Sequence, residues 1–147
     1  MTAEDFQAAI IDASVAIKLF VVEEGSKQAD LLFNRLADDP PASFYVPDLF
    51  YAECANTLWK YVRNYGYPAE SARQDLNDLL ALTLQSVSTS DLIVPALELA
   101  LAYDLAVYDA CYLALAQAAG LPLVTADTAM ADKLLDSPLE VRILSEI

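Results

Sequence analysis

The chain of 147 residues contains no histidine, three glycines, two cysteines, and 8 basic residues against 22 acidic ones. Each shortage removes a class of chemistry. Without histidine, hydrolases that activate a serine or cysteine through an imidazole base are excluded. Cys54 and Cys111 stand far apart with no second cysteine or histidine beside either. A zinc centre needs such clustered ligands, so it is excluded, and small buried core residues are the expected role for both thiols. Nothing in their placement asks for a disulfide.

Glycine is also missing where nucleotide folds require it. The turn after the first apolar run reads Asp12-Ala13-Ser14-Val15, which offers neither a dinucleotide-binding glycine turn nor a P-loop Gly-Lys-Ser/Thr. A phosphoaspartate receiver needs a lysine after its final strand, and none stands there. Repeats, low-complexity tracts and linkers rich in Gly, Ser or Pro are absent too. With 56% hydrophobic and 20% charged residues, the chain is expected to fold as one globular domain spanning 1–147.

Its opening, Met1-Thr2-Ala3-Glu4-Asp5, carries no basic export region. The longest uncharged stretch, Ala110 to Ala126, contains Gln117, Gly120 and Pro122. It reads as a buried helix followed by a buried strand rather than a membrane span. A cytoplasmic protein with no membrane contact is the expectation. The net charge of −14 argues against general nucleic-acid binding, which draws its affinity from neutralising phosphates. It favours basic partners, or a carboxylate-rich site completed by cations.

What is present is an alternation of short β-like runs with helical ones. Ala8 to Ile11, Phe44 to Val46, Leu84 to Ser88, Leu105 to Tyr108, Leu121 to Thr125 and Val141 to Leu144 read as strands. Helical patterns begin near Ser14, Ser26, Pro47-Asp48, Ala69, Ser90 or Asp91, Asp109 and Thr128. Such alternation predicts a three-layer α/β/α domain around a mainly parallel sheet of about five strands. Ligands of open α/β sheets collect at the carboxyl ends of the strands, near a switch in strand order. Asp12, Asp109 and Asp127 are expected just past such ends, with Glu53 in the second turn of the helix after the second strand.

Each acid also has an ordinary explanation. Asp is a preferred N-cap, and each of the three aspartates precedes or opens a helix. Glu53, Asn56, Thr57, Lys60 and Arg63 share one polar helix stripe opposite an apolar arc of Phe50, Cys54, Leu58, Tyr61 and Val62, as a solvated face does. Asp109 fits the ordinary reading least well, because its helix is apolar on nearly every side. A carboxylate at the mouth of that helix is partly desolvated, which is costly unless paired or bound to metal. If the four acids converge, they form an all-oxygen site suited to Mg²⁺ or Mn²⁺, either one ion or a pair about 3.5–4 Å apart. Phosphodiester hydrolysis is the reaction such a site supports, and it needs no histidine.

Ile11-Asp12-Ala13-Ser14, Pro47-Asp48-Leu49 before Glu53-x-x-Asn56, Tyr108-Asp109-Ala110-x-Tyr112-Leu113-Ala114-Leu115-Ala116, and Leu123-Val124-Thr125-Ala126-Asp127 together resemble the PIN-domain ribonucleases, above all the VapC-type toxins of bacterial toxin–antitoxin pairs. The resemblance runs in order from about Ile10 to Asp127. It implies a Mg²⁺- or Mn²⁺-dependent endoribonuclease with Asp12, Glu53, Asp109 and Asp127 as metal-binding acids. It further implies Ser14, Asn56 and Thr125 as supporting polar groups, a homodimer, and an antitoxin partner whose segment blocks the groove. A basic antitoxin arm suits so acidic a chain. Lys18, Lys60 and Arg63 are candidates for contacting RNA phosphates, against the alternative of plain solvation. Asp104 stands where the family often has glycine. A left-handed helix end at the opposite sheet edge is expected for it, outside the site. The competing function is a non-catalytic PIN-like protein-interaction module, which can lose the acidic quartet that is complete here.

Overall fold

The computed structural model describes residues 1–147. Five strands form one fully parallel sheet: β1 (Ala8–Ile11), β2 (Ser43–Pro47), β3 (Gln85–Val87), β4 (Leu123–Thr125) and β5 (Val141–Ile143). Seven α-helices complete three α/β/α layers: α1 (Ala13–Ala16), α2 (Ser26–Asn34), α3 (Leu49–Tyr65), α4 (Ala69–Ala81), α5 (Ile93–Tyr103), α6 (Val107–Ala119) and α7 (Thr128–Asp132). No single helix is long and apolar enough to cross a membrane.

Strand order is β3-β2-β1-β4-β5. The chain therefore steps outward from β1 to β3, then returns to the other side of β1 as β4. That reversal is the topological switch point, and the crevice it leaves lies at the carboxyl ends of β1 and β4. Asp12 directly follows β1, and Asp127 follows β4 by two residues. The register aligns Ile10 with Leu123 and Ile11 with Val124, so the two strand ends lie side by side. Both strands are apolar along most of their length because both faces of this sheet are covered. Ile10, Ile11, Leu123 and Val124 are all fully buried.

The expected strand from Leu105 to Tyr108 does not form. Ala106 is the extended residue before α6, and Val107 already begins the helix. A four-residue apolar run does not distinguish a strand from the start of a buried helix. Here β4 already occupies the place beside β1, and Leu105 of the α5–α6 connection and Val107 at the start of α6 pack against the core. Asp109 is thus presented by the first turn of α6, not by a strand end. The helix itself matches the apolar pattern. Every residue from Ala110 to Ala116 is buried, including Cys111, and Cys54 of α3 is buried likewise.

Asp104 ends α5 with φ +56°, the one non-glycine residue with positive φ. Leu105 N–H closes the helix end by donating to Ala100 O at 3.1 Å, the bond a left-handed cap makes possible. The conformation agrees with expectation, but the location does not. Asp104 lies at the α6 entrance, where Lys133 Nζ donates to its carbonyl at 2.6 Å. The same lysine acts on Asp109, which puts Asp104 near the site end rather than at the opposite edge. Its side chain is fully exposed and does not line the site.

Candidate active site

A cleft of about 480 Å³ at the switch point is lined by Asp12, Ser14, Glu53, Asn56, Asp109 and Asp127, with Lys18 and Lys60 among its other walls. All four expected acids therefore meet in one place, although three different kinds of position supply them. Asp12 leaves a strand, Asp127 opens α7, and Glu53 and Asp109 project from helices. Each of Asp12, Glu53 and Asp109 is affected by the charge of at least one other member of the quartet.

Asp12 is the best-buried of the four, at 7% exposure. Thr125 Oγ1 and Ser14 Oγ both donate to its Oδ2, each at 2.7 Å. Those hydroxyls are oriented in turn by main-chain donors. Asp127 N–H donates to Thr125 Oγ1 and Ala126 N–H to Ser14 Oγ, each at 3.0 Å. Two relays of amide to hydroxyl to carboxylate thus tie the end of β1 to the end of β4, and each link polarises the next. Asp12 Oδ1 is left outside these relays. Burial raises the Asp12 pKa above its usual value; the two hydroxyls oppose that shift, and the charge of Asp127 adds to it.

Glu53 is fixed from across the cleft. Tyr112 Oη, on a side chain 1% exposed, donates to Glu53 Oε1 at 2.6 Å. Burial pushes the Glu53 pKa up; this hydrogen bond pulls it down, while Asp12 and Asp109 raise it further. Glu53 Oε2 makes no hydrogen bond to the protein. Asp109 is pushed up to about 6 by burial, then by Asp12 and Asp127, with Lys133 opposing. Asp127 alone realises the capping role, its Oδ1 accepting from Met130 N–H at 3.0 Å. Asp12 makes no such cap. Capping therefore explains one aspartate and not the quartet.

These carboxylates bring negative charge into a half-buried cleft with little internal compensation, and each retains an oxygen free of protein hydrogen bonds. The donor set fits a hard divalent cation. No three acids close into a ready-made cage, so such an ion would be held partly through water, as Mg²⁺ commonly is.

The basic residues divide sharply. Lys18 borders the cleft, but its Nζ donates to Glu23 Oε1 at 3.1 Å and to Glu24 O at 2.7 Å. Glu23 is held in turn by Tyr61 Oη at 2.6 Å. Lys18 thus braces the wall. Lys60 lines the cleft without an ion-pair partner, whereas Arg63 lies outside it with its guanidinium 5.2 Å from the Trp59 ring centroid. Asn56 and Thr57 continue the polar face of α3 along the cleft.

Sequence reasoning missed Tyr112 as a site residue. Its signal is the i, i+3 spacing from Asp109, which places both on one face of α6, together with the need of a buried tyrosine hydroxyl for an acceptor. Tyr112→Phe is expected to weaken Mn²⁺ affinity by roughly 10- to 100-fold, the usual effect of losing a ligand-orienting hydrogen bond. Isothermal titration of folded variant and parent checks this; equal affinities would remove Tyr112 from the site.

A family model described as PIN domain matches residues 9–133. Ribonuclease VapC3 of Pyrobaculum aerophilum is 33% identical over 126 residues, covering 84% of this chain and 92% of the relative. Among solved structures, a toxin–antitoxin complex from Klebsiella pneumoniae superposes with TM-score 0.64 at 25% identity, covering 95% of this chain and 99% of that one. The sarcin–ricin loop cleaving toxin VapC20 of Mycobacterium tuberculosis shares the fold, with TM-score 0.62 at 16% identity over 84% of this chain and 93% of that one. With its parallel sheet, its switch-point cleft and this match over most of its length, the chain belongs to the PIN-domain family, among relatives of the VapC ribonucleases.

Proposed function

We propose that this protein is a Mg²⁺- or Mn²⁺-dependent endoribonuclease and the toxin of a toxin–antitoxin pair. The observation that carries the reading is the convergence of Asp12, Glu53, Asp109 and Asp127 on one cleft at the strand ends. A structural module has no need to gather uncompensated carboxylates, whose mutual repulsion and burial cost stability. The relationship to a VapC ribonuclease supports the same activity.

In this reading the four acids hold the cation, with one ion or two. A Mg²⁺ or Mn²⁺ ion held there would supply Lewis-acid activation of water and counter-charge for the leaving oxygen. The chain's own residues prepare that chemistry. Thr125 and Ser14 orient Asp12 through Oδ2 and leave Oδ1 outside their hydrogen bonds. Tyr112 fixes Glu53 in the same way. Asn56 and Lys60, on the cleft side of α3, receive the RNA backbone. Lys60 matters more than its single charge suggests, because Lys18 is engaged within the protein and the chain carries −14 overall.

A protein partner accords with the surface. α5 leaves Ile93, Val94, Leu97 and Leu101 exposed, a run of apolar side chains suited to a homodimer contact. Trp59, Leu76 and Val62 line an apolar groove between α3 and α4, beside the polar face that enters the cleft. An antitoxin segment seated there, with basic residues reaching the carboxylates, would block RNA entry. We place the activity in the cytoplasm, where RNA is found.

The test is cleavage of an RNA pool by purified protein in Mg²⁺ or Mn²⁺ and in EDTA. Cleavage only with metal, and its loss in Asp12→Asn, is the expected result. Metal-independent cleavage, or full activity in Asp12→Asn, would defeat the reading. Charge reversal in Lys60→Glu is expected to weaken RNA binding and lower its salt dependence by about one phosphate contact, measured by fluorescence anisotropy. An unchanged salt slope would remove Lys60 from the RNA path.

A further inference from the structure

A second cavity, of about 370 Å³, opens beside the cleft and shares Lys18 and Ala126 with it. Ala126 lies between Thr125 and Asp127, so the cavity adjoins the carboxylate quartet directly. Its other walls come from the start of α2, the start of α7 and the segment after β5, through Glu24, Gln28, Thr128, Leu144 and Ser145. The boundary with the cleft is braced by hydrogen bonds. Lys18 Nζ is held by Glu23 Oε1 and Glu24 O, and this engaged ammonium is no longer a free phosphate-binding group.

Gly25 keeps the space open. Its φ of +91° disfavours any side chain, and a Cβ there would approach both Leu144 Cδ2 and Lys18 Cδ to 3.2 Å. Around the cavity, the half-buried Gln28 amide and, at the exposed rim, the Glu24 carboxylate and the Thr128 and Ser145 hydroxyls make no hydrogen bonds within the protein. Ile143 and Leu144 add apolar surface. Unpaired donors and acceptors over an apolar wall suit a flat heterocycle with a polar edge. With Lys18 neutralised and the Glu24 carboxylate unpaired, they do not suit a phosphate.

We propose that this cavity receives the nucleobase next to the scissile phosphate and favours bases bearing an exocyclic amine over uracil. The proposal rests on the ribonuclease reading above. Glu24 accepts from the amine, as carboxylates do from cytosine N4. Gln28, which can donate and accept, reads the neighbouring ring position. Uracil offers carbonyl oxygens on both sides of its ring nitrogen and would set one of them against Glu24. Specificity for unstacked bases by edge contacts in a pocket is the common mode of single-strand RNA recognition.

Cleavage of a randomised RNA library in Mn²⁺, sequenced at the new ends, tests this with wild type, Glu24→Ala and Gln28→Ala. Wild type is expected to prefer an amine-bearing base over uracil by roughly ten-fold at one position flanking the cut. Both variants should lose that preference, through slower cleavage beside the amine-bearing base and, in Glu24→Ala, faster cleavage of the uracil-containing substrate as the carboxylate facing its carbonyl is removed. An unchanged preference in both variants, or no flanking preference in wild type, overturns the proposal. A binding arm keeps the two readings separable, using cleavage-resistant 2′-O-methyl RNAs that differ only at the flanking base. Amine-base preference in binding that disappears in Gln28→Ala supports the pocket even if no cleavage is seen, a result that would count against the nuclease reading alone. Equal binding of all bases by wild type overturns the pocket.

Discussion

Asp109→Asn is expected to melt higher than wild type in metal-free buffer at pH 7.5 while losing RNA cleavage. The two effects have one cause. Burial and the charges of Asp12 and Asp127 push the Asp109 carboxyl up to about 6, above the value near 3.9 expected for the unfolded chain. A carboxyl whose folded pKa is raised destabilises the fold when ionised. That penalty is complete above pH 6 and is relieved as pH falls through 6 toward the unfolded value.

Asparagine removes the charge at nearly constant shape, and Asp109 owes none of its pKa shift to a hydrogen bond that the change could break. Allowing for water in the cleft, the gain is on the order of 1–2 kcal/mol, or about 3–6 °C for a chain of this size. The advantage over wild type should shrink as pH is lowered from 7 to 4, because protonation then relieves wild type too. Cleavage should fall by roughly 100- to 10,000-fold, the scale of losing a major electrostatic contributor to a phosphoryl-type transition state. Calorimetric scans in EDTA across that pH range, beside a cleavage assay in Mn²⁺, measure both. A lower melting temperature at pH 7.5, or retained activity, would count against the assigned role of Asp109.

The second large effect is stabilisation by divalent cations. Carboxylates that repel one another in the metal-free protein gain a common counter-charge when an ion binds. Binding confined to the folded state stabilises it by about 2.7 kcal/mol at 100 times Kd, or roughly 5–10 °C here. With a net charge of −14, any salt will also relieve general self-repulsion. The informative quantity is therefore the shift in Mg²⁺ or Mn²⁺ beyond that in NaCl of equal ionic strength. That excess should be present in wild type and largely absent in the Asp12→Asn/Asp109→Asn double variant. Equal excess in both proteins would mean that the cations act elsewhere.

The parts of this site legible in the sequence are those set by strand ends. Apolar runs before Asp12 and Asp127 mark buried parallel strands, and the switch between β1 and β4 brings those ends together. The third strand, at Gln85–Val87, falls inside the run expected for it. Glu53 is legible through the α3 pattern, of which Phe50, Cys54 and Leu58 are buried while Glu53, Asn56, Thr57 and Lys60 line the cleft. Tyr61 and Val62 of the expected apolar arc are only half-buried, Tyr61 facing the cleft, and Arg63 of the polar stripe lies outside it.

Asp109 reaches the cleft from the first turn of α6 and not from the strand end expected for it. Leu105 to Tyr108 is too short to show whether its period is that of a strand or a helix, and the chain reverses at Asp104 straight into α6. Side-chain pairings, local or distant, left no signal in the sequence. The partners of Lys18 at Glu23 and Glu24 depend on how the segment after α1 folds back. Tyr112 meets Glu53 across 59 residues of sequence. Composition counts such groups but does not reveal which are already engaged.

The central claim is that Asp12, Glu53, Asp109 and Asp127 act together as one cation site. Anomalous scattering from crystals grown with Mn²⁺ tests it most directly, because manganese is located independently of any assumed chemistry. The expected result is one peak, or a pair about 3.5–4 Å apart, in the switch-point cleft, with at least one bond to the oxygens left free on Asp12, Glu53, Asp109 or Asp127 and water completing the shell. An empty cleft at saturating Mn²⁺, or manganese bound only at surface carboxylates away from it, would contradict the account.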